Sequence, residues 1–425
     1  MVVKRAISYL GHGILFPFAL LVLVVYSLLA RHNSVRRQRS KIKPRLVYGP
    51  IPIINIKYMR NAMEQLGYEA KTLVYTIYHI NTRADYDYYI GDFFPCKSLR
   101  TDSLLSSVFL WFFGRYLIFL WLLPRFDIFH YFFDGGFLSG TPLRFMEVQL
   151  LHLAGKKVIV MPYGSDVMEL TRINSLVFRQ NILAQYQGIV FQQKQIVRQI
   201  NYFSQHADFI IGVGHCLDGM PRWDLLATHY YPIDTEAWAP GDYRSDADGR
   251  NGEVTIFHSP NHRWLKGTEF LERACRELEQ EGYKICLIVA EGVPNTEVHR
   301  LLLQSDILAE QFGMPWYGLN AMEGMSLAKP VMSDLSDTHY TEPFLRYTGL
   351  DECPIVSTPV GEIKERLRML VENPQLRREL GAAGRRYVLK YHSYEAAGRM
   401  WNVIYRKVWY GEAIDLAVWH PDRVE

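Results

Sequence analysis

Two stretches carry the side chains best suited to chemistry on an anionic ligand. His258 to Gly267 reads HSPNHRWLKG, a loop running into a helix, and it sets Arg263 and Lys266 close together where cations and helix N–H groups suit diphosphate oxygens. A solvated helix start is the plain alternative for one Arg and one Lys. Ser305 to Asp334 reads SDILAEQFGMPWYGLNAMEGMSLAKPVMSD, which passes from a strand-like opening through a Gly-containing loop to a small-residue helix around Glu323, then to KPVM as the next strand. Earlier in the chain, PYGSD puts Tyr163, Gly164, Ser165 and Asp166 after a strand. Asp166 is a candidate to hold a hydroxyl or take a proton, and equally a helix cap. His130 in FDIFHYFFDGG is a candidate to face a cleft, with a core histidine satisfied by backbone as the alternative.

Other chemistries find little support. There is no G-x-x-x-x-G-K-[ST] loop, no HExxH and no G-x-G-x-x-G opening a helix after a strand; GVGHCLDG near Gly212 only partly imitates the last. Asp85-Tyr86-Asp87 is a DxD pattern, and in its Tyr-rich setting it reads as a solvated loop rather than a metal site. The five cysteines, Cys96, Cys216, Cys275, Cys286 and Cys353, are widely spaced and form no CxxC pair, so neither a disulfide framework nor structural zinc is expected and a reducing compartment fits. No metal and no cofactor is anticipated. Nor is nucleic acid expected as a partner.

These residues need a scaffold. The chain has 425 residues, 49% hydrophobic and 21% charged, with a net charge of +3, which suits two folded domains. Short β-rich runs alternate with amphipathic helices: RLVYG from Arg45, KTLVYTI from Lys71, FDIFHYF from Phe126, KKVIVMPYG from Lys156 and ADFIIGVG from Ala207. That alternation implies an α/β fold with parallel sheets covered on both faces. Tyr231 to Glu253 is rich in Asp, Gly and Pro and reads as a linker, after which the theme restarts with VTIFHSP. The expected division is 1–44 anchor and basic segment, 45–232 first domain, 233–252 linker, 253–390 second domain, and 391–425 a C-terminal helix packing back on the first domain.

At the N-terminus, Ile14 to Ala30 is an uncharged apolar run followed by RHNSVRRQRSKIKPR, with no small-x-small cleavage site. The basic run outweighs Lys4 and Arg5, so the positive-inside rule places the chain beyond residue 31 in the cytoplasm, single-pass on a cell (inner) membrane, with membrane lipids as partners. A second apolar stretch, Ser106 to Phe126, carries Arg115 at its middle. That charge argues against a span and leaves a buried core helix or a helix lying on the bilayer.

EGMSLAKPV, with Ala328 where a Gly is usual, resembles the motif of the retaining glycosyltransferases of family 4, of the bacterial surface-glycan type. KGTEFL resembles their Lys-Gly phosphate loop, GPIPIIN their first Gly-rich loop, YPIDTEAWAP their domain crossover, and ENPQLRRELGAAGRRYVLKYHSYE their C-terminal helices, a similarity covering roughly residues 45 to 409. The resemblance implies the GT-B fold, two Rossmann-like domains facing across a cleft, and metal-independent hexosyl transfer from a nucleotide-sugar donor to a glycan or lipid-linked acceptor in polysaccharide biosynthesis. It implies donor contacts at Arg263, Lys266, Gly267, Tyr317, Gly318, Leu319 and Glu323, with Glu323 on the ribose. Acceptor-side contacts fall at Gly49, Asn55, Tyr163, Gly164 and Ser165, and Asp166 and His130 are the catalytic candidates. Two departures stand out. The family's first glutamate falls on Pro315, so backbone at Trp316 to Gly318 or the side chains of Glu310 and Gln311 take its role, and Tyr163 replaces a usual histidine. The first departure motivates the alternative of an inactive subunit that binds glycan or a partner protein.

Overall fold

The computed structural model describes residues 2–93, 113–228, 231–243 and 245–416, with side chains from residue 16 onward. The chain opens on one long helix, α1 (Val2–Arg39). The first sheet then uses β1 (Leu46–Tyr48), β2 (Ala70–Val74), β3 (Tyr88–Tyr89), β4 (Ile128–Phe132), β5 (Lys157–Met161), β6 (Phe209–Gly212) and β7 (Leu225–Leu226), between which lie α2 (Asn55–Gln65), α3 (Arg115–Leu122), α4 (Glu147–Leu153), α5 (Leu176–Gln185) and α6 (Ile189–His206). Its order is β3-β2-β1-β4-β5-β6-β7, all parallel.

The second sheet runs through β8 (Val254–His258), β9 (Ile285–Val289), β10 (Ile307–Gln311), β11 (Val331–Ser333) and β12 (Val356–Ser357). It is also parallel, in the order β12-β11-β10-β8-β9. Around it lie α7 (Arg263–Lys266), α8 (Thr268–Gln280), α9 (Asn295–Leu303), α10 (Leu319–Ser326), α11 (Thr338–Tyr347) and α12 (Ile363–Glu372). The chain ends with α13 (Pro374–Tyr391) and α14 (Tyr394–Tyr410).

The central strands are buried apolar runs because helices cover both faces, while β3, β9 and β12, at the sheet edges, are largely half-buried. One apolar core lies between the first sheet and α1, α3, α4 and α6. Another fills the far face of the second sheet beneath α8 and α12. The third is shared by both halves. The linker passes beside the end of α13, where Ile233 N donates to His392 O at 2.7 Å, and Trp238 is buried against Tyr58 and His299. From that crossing α14 turns onto α2. Tyr405 OH lies 3.0 Å from both Tyr48 OH and His130 Nε2, and Trp401 is wholly buried.

The described part of the second apolar stretch, α3, is a core helix along one side: Ile118, Phe119 and Leu122 are buried. Arg115 lies over the Tyr75 ring inside the domain, near Glu147. Residues 106–112 lie outside the described residues. Among the described residues α1 is the one helix long and apolar enough to cross a membrane.

Candidate functional site

In each sheet the strand order reverses once, and ligands of open α/β sheets bind in the crevice left there. The reversal falls between β1 and β4 in the first sheet and between β8 and β10 in the second. In the second sheet, the loop after β8 leads into α7, which ends at Gly267 with φ 70°. A Cβ on Gly267 would stand 2.9 Å from Phe312 Cβ, so glycine serves both the left-handed turn and the close approach of the loop after β10. Lys266 donates to Glu310 through a very short contact and to Gln311 Oε1 at 2.8 Å. Gln311 Nε2 in turn donates to Trp316 O at 2.7 Å, and Ser333 Oγ to Glu310 Oε2 at 3.0 Å. Gly318, the N-cap of α10, donates its N–H to Glu310 Oε2 at 3.4 Å, and a Cβ there would lie 3.8 Å from Lys266 Nζ. The loops near 263 and 318 therefore meet.

Beyond that junction α10 carries two groups with little to hold. Glu323 is buried, and its carboxylate takes one long hydrogen bond, from Asn295 Nδ2 at 3.4 Å. Burial pushes its carboxyl up to about 8, with Asn295 pulling the other way. One turn nearer the N-terminus, both amide atoms of Asn320 are buried without a hydrogen-bond partner. Buried polar atoms cost free energy unless they are satisfied, so a weakly bonded carboxylate and an unpartnered amide on one helix make this helix a candidate ligand site. Leu319 opens the helix between Gly318 and Asn320, half-buried. Tyr317 turns inward instead: its hydroxyl meets Tyr387 OH at 3.2 Å and His392 Nε2 at 3.0 Å, which makes it a structural residue of the crossing.

Arg263 does not join Lys266. It donates to Glu269 at 2.9 Å and Glu272 at 2.8 Å, and makes a very short contact with Glu291 after β9. Residues three apart share a helix face, so it is the different acid partners, Glu269, Glu272 and Glu291 for one and Glu310 for the other, that part the two cations.

On the first domain, Gly49 ends β1 where a Cβ would come within 2.0 Å of Leu73 O, and Asn55 opens α2 with its side chain buried. Asp166 is buried and accepts N–H groups from Phe133 at 3.0 Å, Tyr163 at 3.1 Å and Gly164 at 2.9 Å. It staples the loops after β4 and β5, and it is not a helix cap: the N-cap of the turn Ser165–Val167 is Gly164, and Asp166 accepts only from residues before it. Burial, then the charge of Asp134, holds its carboxyl well above the usual range. Tyr163 donates a very short hydrogen bond to Asp134, and Ser165 begins the following turn. His130 is a core residue. Its ring stacks on Tyr48 at 4.2 Å, Nδ1 lies 3.3 Å from Val47 O and Nε2 meets Tyr405, so both nitrogens are used inside the domain. The Asp85 and Asp87 carboxylates are likewise committed locally, to Thr82 and Lys57 and to Thr72.

The seam between the domains holds residues that sequence reasoning passed over. A Cβ on Gly214 would fall 2.4 Å from the Trp316 ring, and Asn181 Nδ2 donates to Gly313 O at 2.7 Å. Asp218 receives Tyr340 OH at 2.6 Å, Asn174 N at 2.9 Å and His339 Nε2 at 2.8 Å, bonds that keep its carboxyl below the usual range despite burial. His215 sits in this seam with Nδ1 buried and unpartnered. Burial, then the nearby Lys266 charge, lowers its imidazole to about 4. The signal was there, since GVGHCLDG follows a strand as the other site loops do.

No family model matches the chain, and no curated protein matches it. Solved structures do. The fold is similar to that of HepE from Anabaena, crystallised with UDP-glucose (TM-score 0.51, 11% identity, 85% of this chain and 99% of that one). It is similar to sucrose-phosphate synthase from Thermosynechococcus elongatus (0.50, 13%, 87% and 100%). The catalytic domain of starch synthase IV from Arabidopsis thaliana, bound to ADP and acarbose, also aligns (0.50, 10%, 86% and 99%). At these identities the likeness establishes the fold: GT-B, two Rossmann-like domains of parallel sheet, preceded by one apolar helix.

Proposed function

We propose that this chain is a glycosyltransferase that moves a sugar from a nucleotide-sugar held by the second domain to a glycan or lipid-linked acceptor on the first, in the retaining, metal-independent manner of family 4. The observation that carries the reading is the nearly partnerless Glu323 carboxylate on the helix whose N-terminus meets Glu310, the partner of Lys266. A ribose diol would satisfy Glu323, and the amide of Asn320 suits an oxygen-rich neighbour. The N–H groups that open α10 suit the diphosphate, where an anion is stabilised by the helix terminus. Glu310 and Gln311 stand at that N-cap and take the place of the family's first glutamate, fixing Lys266 as well.

The main contribution to rate is electrostatic: charge developing on the leaving diphosphate meets Lys266 and the N–H groups of α10 in a water-poor seam. No enzyme side chain forms a bond to the sugar; a leaving phosphate oxygen takes the proton from the acceptor hydroxyl. Asp166 then acts as a positioning residue that shapes the acceptor loops. Arg263 is left out of this scheme because three glutamates occupy it. The helix α1 supports a place on a cell (inner) membrane with both domains on the cytoplasmic side, where a lipid-linked acceptor is met.

A donor screen by mass spectrometry, using membranes from expressing cells and a panel of nucleotide-sugars, tests the reading. Transfer from one donor, lost in Glu323→Ala and Lys266→Ala, is the expected result; unchanged transfer in both variants overturns the site. One observation favours the second reading, an inactive GT-B-like binding subunit: Lys266 and Arg263 are both already paired with carboxylates. Calorimetry that finds no nucleotide or nucleotide-sugar binding, with candidate acceptors present, would favour that reading.

A further inference from the structure

The helix α1 has apolar residues on two opposite faces, and only one faces away from the protein. Phe16, Ala19, Leu20, Leu23, Val24 and Ala30 pack on the core of the first domain. Ser27 and Ser34 are fully buried along the same face, and a Cβ on Gly155 would touch Ser34 Cβ at 3.1 Å. The end of the helix is fastened as well. Arg37 Nε donates at 3.0 Å to Asp127, a carboxylate with no exposed surface that also binds Arg45 and Lys156. Gln38 Nε2 reaches Gly155 O at 3.4 Å. The opposite face presents Phe18 (70% exposed), Leu21, Val22, Val25 and Leu29 (69%), and the same stripe continues into the exposed Arg36 and Arg39.

This attachment conflicts with a free span. From Phe16 to Gln38, about 33 Å at 1.5 Å per residue, α1 is bound to the domain. The rest of the helix, residues 2–15, is roughly 21 Å long, short of the ~30 Å of hydrocarbon and interrupted in sequence by Lys4 and Arg5. A crossing by residues 16–30 would drag α4 and the charged group around Asp127 toward the hydrocarbon with it. On the proposal that α1 holds the enzyme on a membrane, we infer that the helix does not cross: it lies in one leaflet, its outer stripe in the acyl chains and Arg36 and Arg39 at anionic headgroups. Phe113 and Leu117, exposed on or beside α3 next to α1, widen that face. The N-terminus and both domains are then on the same side of the bilayer.

The test uses the full chain with an epitope tag at each end, expressed and recovered in sealed inverted vesicles, with protease added outside. Loss of both tags together supports one-leaflet attachment. An N-terminal tag that survives until detergent is added, while the C-terminal tag is lost, overturns it and restores a crossing. Wild-type protein found wholly in the soluble fraction at low salt overturns the membrane reading beneath it instead, so the two failures are told apart.

Discussion

Replacing Glu323 by Gln should make the protein more stable, and increasingly so as pH rises. The native carboxyl sits in a site that burial makes hostile to charge, so its folded value, about 8, lies far above the ordinary 4.5. Below pH 4.5 folded and unfolded chains both carry the proton and Gln imitates it, so the two proteins differ little. Above that, the unfolded chain of the wild type ionises while the folded one holds its proton, and each pH unit removes ~1.4 kcal/mol of stability. The loss continues until the folded carboxyl gives up its proton near 8, by which point it amounts to about 5 kcal/mol over the 3.5-unit window. Glu323→Gln has no such proton to lose. Urea denaturation of both proteins between pH 5 and 9 should therefore show curves that diverge up to pH 8 and run parallel beyond it. A difference that stays constant across that range would refute the assignment of Glu323 as a buried acid without a countercharge.

The same proton should appear in binding: at pH 7 a nucleotide-sugar whose ribose takes the carboxylate should release about one proton in wild type and none in Glu323→Gln, read by calorimetry in buffers of different ionisation enthalpy. Ala328 holds φ 57°, so Ala328→Gly should stabilise the protein by about 0.5–1 kcal/mol in urea melts. Gly214→Ala puts a methyl group 2.4 Å from Trp316 and should wedge the seam, seen as a larger radius by small-angle scattering and weaker donor binding. Asp127→Asn leaves Arg37, Arg45 and Lys156 facing a neutral group; with a cost of ~3–5 kcal/mol for breaking a buried pair, it should loosen α1 and expose the segment near residue 40 to limited proteolysis.

Periodicity made the sheets readable, because strands covered on both faces are near-continuous apolar runs and the helices between them keep one apolar stripe. The place of Glu323 was readable too, since a strand, a glycine loop and a small-residue helix can connect in few ways. Even the departure at Ala328 marked a real position: the turn is left-handed there, which explains why glycine is usual at it. What escaped was which way side chains point. Arg263 and Lys266 are three residues apart, yet one pairs with a glutamate after β9 and the other with a glutamate in β10. His130 had the spacing of a site residue, but its partners Tyr48 and Tyr405 come from the two ends of the chain. The seam formed by Gly214, His215, Asp218, Trp316 and Tyr340 depends on how two domains meet, and no local pattern encodes that.

The crossing at Ile233 and His392 bears on how the polypeptide is made. Trp401 and Tyr405 fill a hollow lined by Tyr48 and His130, yet they are synthesised 271 to 357 positions later. During translation the β1–β4 side of the first sheet has α2 but not α14 over it while the second half is already emerging, so the cover of the earlier domain is completed last. A nascent chain stalled before residue 394 would display an aromatic slot that attracts chaperones, and a free peptide spanning Tyr394–Tyr410 should close it in trans.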